Sequence, residues 1–195
     1  MRLRRGRGLI RVRAPRTLIA GVGYFNLSDL SLGPHIVPEL RKQSWPAHVE
    51  VDDLSYGPVA VAHRFLEADP PYQRLVVVAA VDRGLSPPKL RCYRWDRVLP
   101  EPDEIQARVA EAVTGVVDLD NLLIVVRQFG ALHEEVLVVE VQPLLLGRGL
   151  ALSPTVRALF PEIAARLQDI VATPPHELDW VPSALGGLQP QELAR

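Results

Sequence analysis

The 195 residues include a single cysteine, Cys92, so a disulfide framework is excluded. Long hydrophobic runs are missing. The longest clean one, LVVVAAV at 75–81, has the length of a strand, whereas a bilayer span needs about 20 residues. A one-sided charge is missing too: the formal net charge is -1, which argues against a general nucleic-acid binder. No G-x-x-x-x-G-K-[ST] loop and no G-x-S-x-G elbow occurs, which removes the P-loop and the α/β-hydrolase signatures. The histidines at 35, 48, 63, 133 and 176 form no pair at helical spacing, so the sequence shows no compact metal-ligand motif.

What is present is an ordinary globular composition, 48% hydrophobic and 23% charged. At roughly 100–200 residues per domain this is one domain with a possible tail. The charge is unevenly placed. Arg2, Arg4, Arg5, Arg7, Arg11, Arg13 and Arg16 put seven positive charges in the first sixteen residues, and the rest of the chain carries a net of -8. No apolar stretch follows these arginines, as a secretory signal would require. Residues 1–16 read as a poorly ordered solvated extension or a start-codon artefact, with a basic arm for an anionic partner as the alternative. The expected compartment is the cytoplasm.

Along the chain, short apolar runs alternate with amphipathic stretches. TLIAGV at 17–22 reads as a buried strand ending in a tight turn at Gly21 and Gly23. Ser28 or Asp29 is placed to cap a helix whose apolar face carries Leu32, Ile36, Val37 and Leu40. Residues 49–51 predict a second strand, 58–66 a helix, and 75–81 a strand buried on both faces. LRCYRW at 90–95 suits a strand nearer an edge. Helical spacing runs over 103–113 and 119–128, and EVLVVEV at 135–141 reads as another strand. Ser153 caps a further helix with Pro154 in its first position and Val156, Leu159, Ile163 and Leu167 along one face. After Ala172 the prolines and glycines predict an irregular tail, 173–195. This alternation predicts a three-layer α/β/α sandwich with a mostly parallel central sheet, spanning 17–172.

In such sheets sites gather at the carboxyl ends of the strands. The segments 21–31, 52–57 and 79–84 and the region near 115 are therefore the ones to watch. GVG at 21–23 lacks the third glycine of a dinucleotide fingerprint, because Asn26 stands there. Asp52 and Asp53 are a possible carboxylate pair or simply loop acids. His133 and Glu134 read as solvated loop residues, and Cys92 as a core residue. Residues and spacing alone give an α/β domain without a visible active site.

The stretch TLIAGVGYFNLSDLSLGPHIVPEL at 17–40 resembles the opening of the hydrogenase maturation endopeptidases, which trim the C-terminal peptide from the large subunit of nickel-iron hydrogenases. Gly21, Gly23, Asp29 and Gly33 match that pattern, with Tyr24 in place of an asparagine. VEVDD at 49–53 is similar to the second strand and its acid, best matched by Asp53. RLVVVAAVDRG at 74–84, TGVVDLDNLL at 114–123 and GLALSPTVRALFPEI at 149–163 are similar to the third strand, a helix start and the closing helix. The resemblance covers about 17–170. It implies a metal held by three residues, and in this sequence the matching positions are Leu30, Ala79 and Gly115. None of these side chains has a lone pair to offer. Substitute ligands would have to come from Asp29, Asp82 or Asp118.

The resemblance therefore implies a non-catalytic relative without a metal or other cofactor. Its expected partner is a hydrogenase large-subunit precursor, bound in a groove containing Gly21, Gly23, Tyr24, Asn26, Asp29, Asp53, Asp82 and Asp118. Two alternatives remain open at this point. One is an active endopeptidase with displaced ligands, and the other is a binding module for a small molecule or nucleic acid on the same scaffold.

Overall fold

The computed structural model describes residues 14–132, 134–178, 180 and 182–185. Most of the basic N-terminal segment, His133 and the end of the chain lie outside these residues. A central six-stranded sheet is built from β1 (Thr17–Val22), β2 (Val49–Asp53), β3 (Arg74–Ala80), β4 (Lys89–Trp95), β5 (Glu135–Gln142) and β6 (Pro182–Ser183). Its order is β2-β1-β3-β5-β4-β6. The first four strands in that order are parallel, β4 runs antiparallel to β5, and β6 pairs parallel with β4.

The helices cover both faces. α2 (Pro58–Glu67) and α4 (Leu119–Gln128) pack on one side, and α3 (Pro102–Val113) lies against α4. α1 (Leu32–Leu40), the single turn α5 (Pro154–Arg157) and α6 (Phe160–Ala172) cover the other. The strand sequence explains the sandwich. In β5, Val136 and Val138 enter one core cluster, and Leu137, Val139 and Val141 enter the other. A strand with apolar residues at both parities must be covered on both faces. The predicted three-layer α/β/α architecture with a mostly parallel sheet is the observed one. No helix among the described residues is long and apolar enough to cross a membrane.

Two sequence expectations are corrected. The helix predicted from Ser153 onward is broken in two at Ala158–Leu159. Pro161 lies in the first turn of α6, and its ring cannot coexist with an intact turn through residue 157. Ser153 does cap α5, its hydroxyl accepting from the Val156 amide at 3.2 Å. The tail predicted as irregular contains a 3-10 turn at Pro175–Glu177 and the short strand β6.

Gly21, Gly23 and Gly33 serve packing. A Cβ on Gly33 would lie 2.3 Å from the Val22 amide nitrogen, and one on Gly21 would lie 2.7 Å from the Gly33 carbonyl oxygen. α1 therefore rests directly on the backbone of β1, closer than any side chain permits. A Cβ on Gly23 would meet the Leu30 carbonyl oxygen at 2.4 Å, the same oxygen that accepts from the Tyr24 amide at 3.0 Å.

Candidate functional site

Chain direction places the site. From β1 the chain steps to β2 on one side, then crosses back to β3 on the other. Beyond the carboxyl ends of β1 and β3 lies the crevice this reversal leaves, the usual position for a site in an open α/β sheet. A cavity of about 280 Å³ occupies it. Val22, Gly23, Leu30, Ala80 and Val81 line its apolar part. Tyr24, Asp82, Arg83, Arg108, Asp118 and Asp120 line its polar part. Larger hollows lie between α2 and α3 and at the opposite end of the sheet. The crevice is distinguished from them by several perturbed titratable groups gathered in one place.

Asp118 is the N-cap of α4, and its Oδ1 accepts from the Asn121 amide at 2.8 Å. Burial pushes its carboxyl pKa up, the negative charge of Asp120 adds to this, and the amide hydrogen bond opposes it. Burial also raises the Tyr24 phenol, helped by the Asp118 charge. Asp82 behaves oppositely: hydrogen bonds from Gln142 Nε2 at 2.8 Å and from the Gly84 amide at 3.0 Å hold its carboxyl below the usual range.

Arg83 enters the crevice from the loop after β3. Its Nη1 and Nη2 each bond Asp120 at 2.6 Å, and Nη2 bonds Glu140 Oε2 at 3.0 Å. Glu140 also accepts from the Tyr93 hydroxyl at 3.1 Å and lies 3.8 Å from Arg91 Nη1. Burial works against the Arg83 charge, but the hydrogen bonds it donates to Asp120 and Glu140 outweigh it and hold the pKa above its ordinary value.

The sequence-predicted site residues are only partly brought together. Gly23, Tyr24, Asp82 and Asp118 line the cavity together with Leu30. Ala79, 1% exposed, belongs to the core cluster beneath it. Gly115 is exposed, with a positive φ of 90° at the end of α3, and does not line the cavity. Gly21 is buried against α1, and Asn26 lies on the outer surface. The Asp53 carboxylate accepts from the Ser55 amide at 2.9 Å in a turn after β2, away from the cavity.

Asp29 needs the clearest correction. It neither caps α1 nor faces a groove; it is 0% exposed. Its Oδ2 accepts from the amides of Leu144 at 3.0 Å and Leu145 at 2.8 Å and from the Ser153 hydroxyl at 2.9 Å. Its Oδ1 accepts from the Ser153 amide at 2.6 Å. Asp29 is thus a latch joining the loop after β1 to the loop after β5.

The sequence reading missed Arg83, Asp120 and Glu140. A signal was present for Glu140. It follows Val136 and Val138 at strand spacing, so a carboxylate falls where an apolar residue belongs and requires a buried partner. Arg83 in an exposed-looking loop carried no such mark.

These residues do not suit a metal. Leu30, Ala79 and Gly115 provide no donor. Asp29 is spent on four hydrogen bonds, Asp118 on its cap and Asp120 on Arg83. Among the described residues no group of three potential ligands is suitably placed. A cation entering beside Asp120 would also meet the fixed guanidinium charge.

No family model and no curated protein matches this sequence. Solved structures do. The hydrogenase 2 maturation peptidase from a Thaumarchaeota archaeon is 23% identical over 80% of this chain and 98% of its own, with a TM-score of 0.56. The hydrogenase maturating endopeptidase from E. coli is 21% identical over 80% of this chain and 91% of its own, with a TM-score of 0.60. A nickel-iron hydrogenase maturation protease from Thermococcus kodakarensis is 14% identical over 83% of this chain and 96% of its own, with a TM-score of 0.56. The fold of this chain is that of the hydrogenase maturation endopeptidases.

Proposed function

We propose that this chain is a non-catalytic protein on the hydrogenase maturation endopeptidase fold, acting in the cytoplasm on a nickel-iron hydrogenase large-subunit precursor as a binding or accessory factor. The observation that carries this reading is the donor-free set Leu30, Ala79 and Gly115 on an otherwise matching fold. A peptidase that polarises a carbonyl through a metal needs ligands at its site. Here the carboxylates around the crevice are engaged with Arg83 or with backbone amides.

A binding role also needs a surface. Beside the crevice, Phe25, Leu144, Leu145, Leu146 and Leu150 are all 47% exposed or more. They come from two loops joined by the Asp29 latch and by the bridge between Leu27 and Gly149. A preorganised apolar surface of this kind suits a protein partner. The test is binding of the purified precursor, still carrying its C-terminal extension, followed by calorimetry. The expected result is a stoichiometric complex that Leu145→Ser combined with Leu150→Ser weakens about tenfold or more. Absence of any complex with the precursor from the native host would refute the partner.

A further inference from the structure

Glu140 stands on β5 in register with Ala79 of β3 on one side and Arg91 of β4 on the other. Partners in register share a face of the sheet, so its carboxylate lies beside the Ala79 methyl. It is 1% exposed. The resemblance places one of its three metal-holding positions at Ala79. In this chain the carboxylate stands one strand over, and a different cation meets it.

That cation is the Arg83 guanidinium. One edge, Nη1 and Nη2, is paired with both oxygens of Asp120 at 2.6 Å. The adjoining edge, Nε and Nη2, faces Glu140 at 3.3 and 3.0 Å. Such two-edged binding uses the planar fork of arginine, which a lysine lacks. The loop that delivers Arg83 is itself fixed: Gln142 Oε1 accepts from the Arg83 amide at 2.8 Å, and Gln142 Nε2 donates to Asp82. Two carboxylates that face one guanidinium, one of them almost wholly buried, are costly to bring together without that cation between them.

We propose that Arg83 is a cation carried by the chain itself, filling a two-carboxylate site at the carboxyl end of the sheet. This end of the fold closes without a divalent metal, and Asp120 and Glu140 become a divalent-cation site only when Arg83 is removed. The inference stands apart from the choice of partner, because it concerns what neutralises Asp120 and Glu140.

Mn²⁺ is the suitable probe, since it prefers carboxylate and water oxygens over surface histidines. Full-length wild-type protein is expected to hold no stoichiometric Mn²⁺ by electron paramagnetic resonance, and its Tm is expected to ignore both EDTA and millimolar Mn²⁺. Arg83→Ala is expected to lower Tm by about 6–20 °C. Millimolar Mn²⁺ then recovers a large part of that loss, and adding Asp120→Asn abolishes the recovery. Arg83→Lys keeps a cation in place and is expected to remain indifferent to Mn²⁺. Should the alanine variant not fold, Arg83→Gln is read in the same way. Stoichiometric Mn²⁺ on the wild-type chain overturns the proposal. So does an Arg83→Ala chain whose Tm Mn²⁺ leaves unmoved, or refusal of both variants to fold in Mn²⁺.

Discussion

Asp29 shows how one side chain decides the shape of a surface. Its two oxygens satisfy three amides and one hydroxyl from segments more than a hundred residues further along the chain. Asparagine is nearly isosteric but replaces an acceptor oxygen with a donor, leaving buried N–H groups facing N–H. Asp29→Asn is expected to cost about 3 kcal/mol, the scale of one or two buried donors left unpaired, measurable by urea denaturation. Burial governs Asp118. Its folded-state pKa is raised, so its contribution to stability is fully present below the ordinary aspartate pKa and is lost as pH rises through the raised value. Asp118→Asn keeps a good cap and removes the buried charge. It is expected to stay within about 1 kcal/mol of wild type at neutral pH and to gain stability relative to it as the pH rises from acid to neutral. Paired denaturation curves across that range check the sign. At this scale the sequence was least legible. Asp29 carried a family match yet is spent on architecture, while Arg83 and Asp120 carried no mark in the sequence, because their pairing depends on the loop after β3 folding over the start of α4.

The elements were legible because their patterns are strong. β1 and β3 are nearly unbroken apolar runs, β5 is broken only by Glu140 between its ends, and the sequence placed each within a residue of its observed bounds. The misses have local causes. Pro161 breaks a helix whose apolar spacing continues past it, so periodicity alone joined α5 to α6. β6 is two residues long, too short for any alternation. The contact of α1 with β1 was recorded in the sequence only as glycines and was read as a turn signal, although its physical meaning is close approach. Gly33→Ala would drive a methyl into the backbone of β1, whose atoms cannot rotate aside. The expected cost is about 3 kcal/mol or more, the upper end of overpacking penalties. A loss of much less than that in denaturant midpoint would mean that α1 can lift from the sheet.

At the scale of the molecule, one end of the sheet carries Tyr24, Asp82, Arg83 and Asp118 with their shifted titrations, the Arg83 pairs and the apolar loops. Burial pushes the lone thiol, Cys92, up to about 11, which makes it a poor nucleophile at neutral pH. Cys92 is half-buried against the core cluster beneath α6, so alkylation by iodoacetamide at neutral pH is expected to be slow until the protein unfolds, and rapid modification of the folded chain would contradict that position. The fold and the direction of the strands were readable because they follow from hydrophobic pattern. The crevice was readable only in position, since its chemistry depends on which loop acids find buried partners. The most direct test of the whole account is the intact mass of a hydrogenase large-subunit precursor after incubation with this chain, read together with its elution on size-exclusion chromatography. The expected result is co-elution with the C-terminal extension still attached. A precursor shortened at its C-terminus by the wild-type chain would contradict the account and make this protein a peptidase.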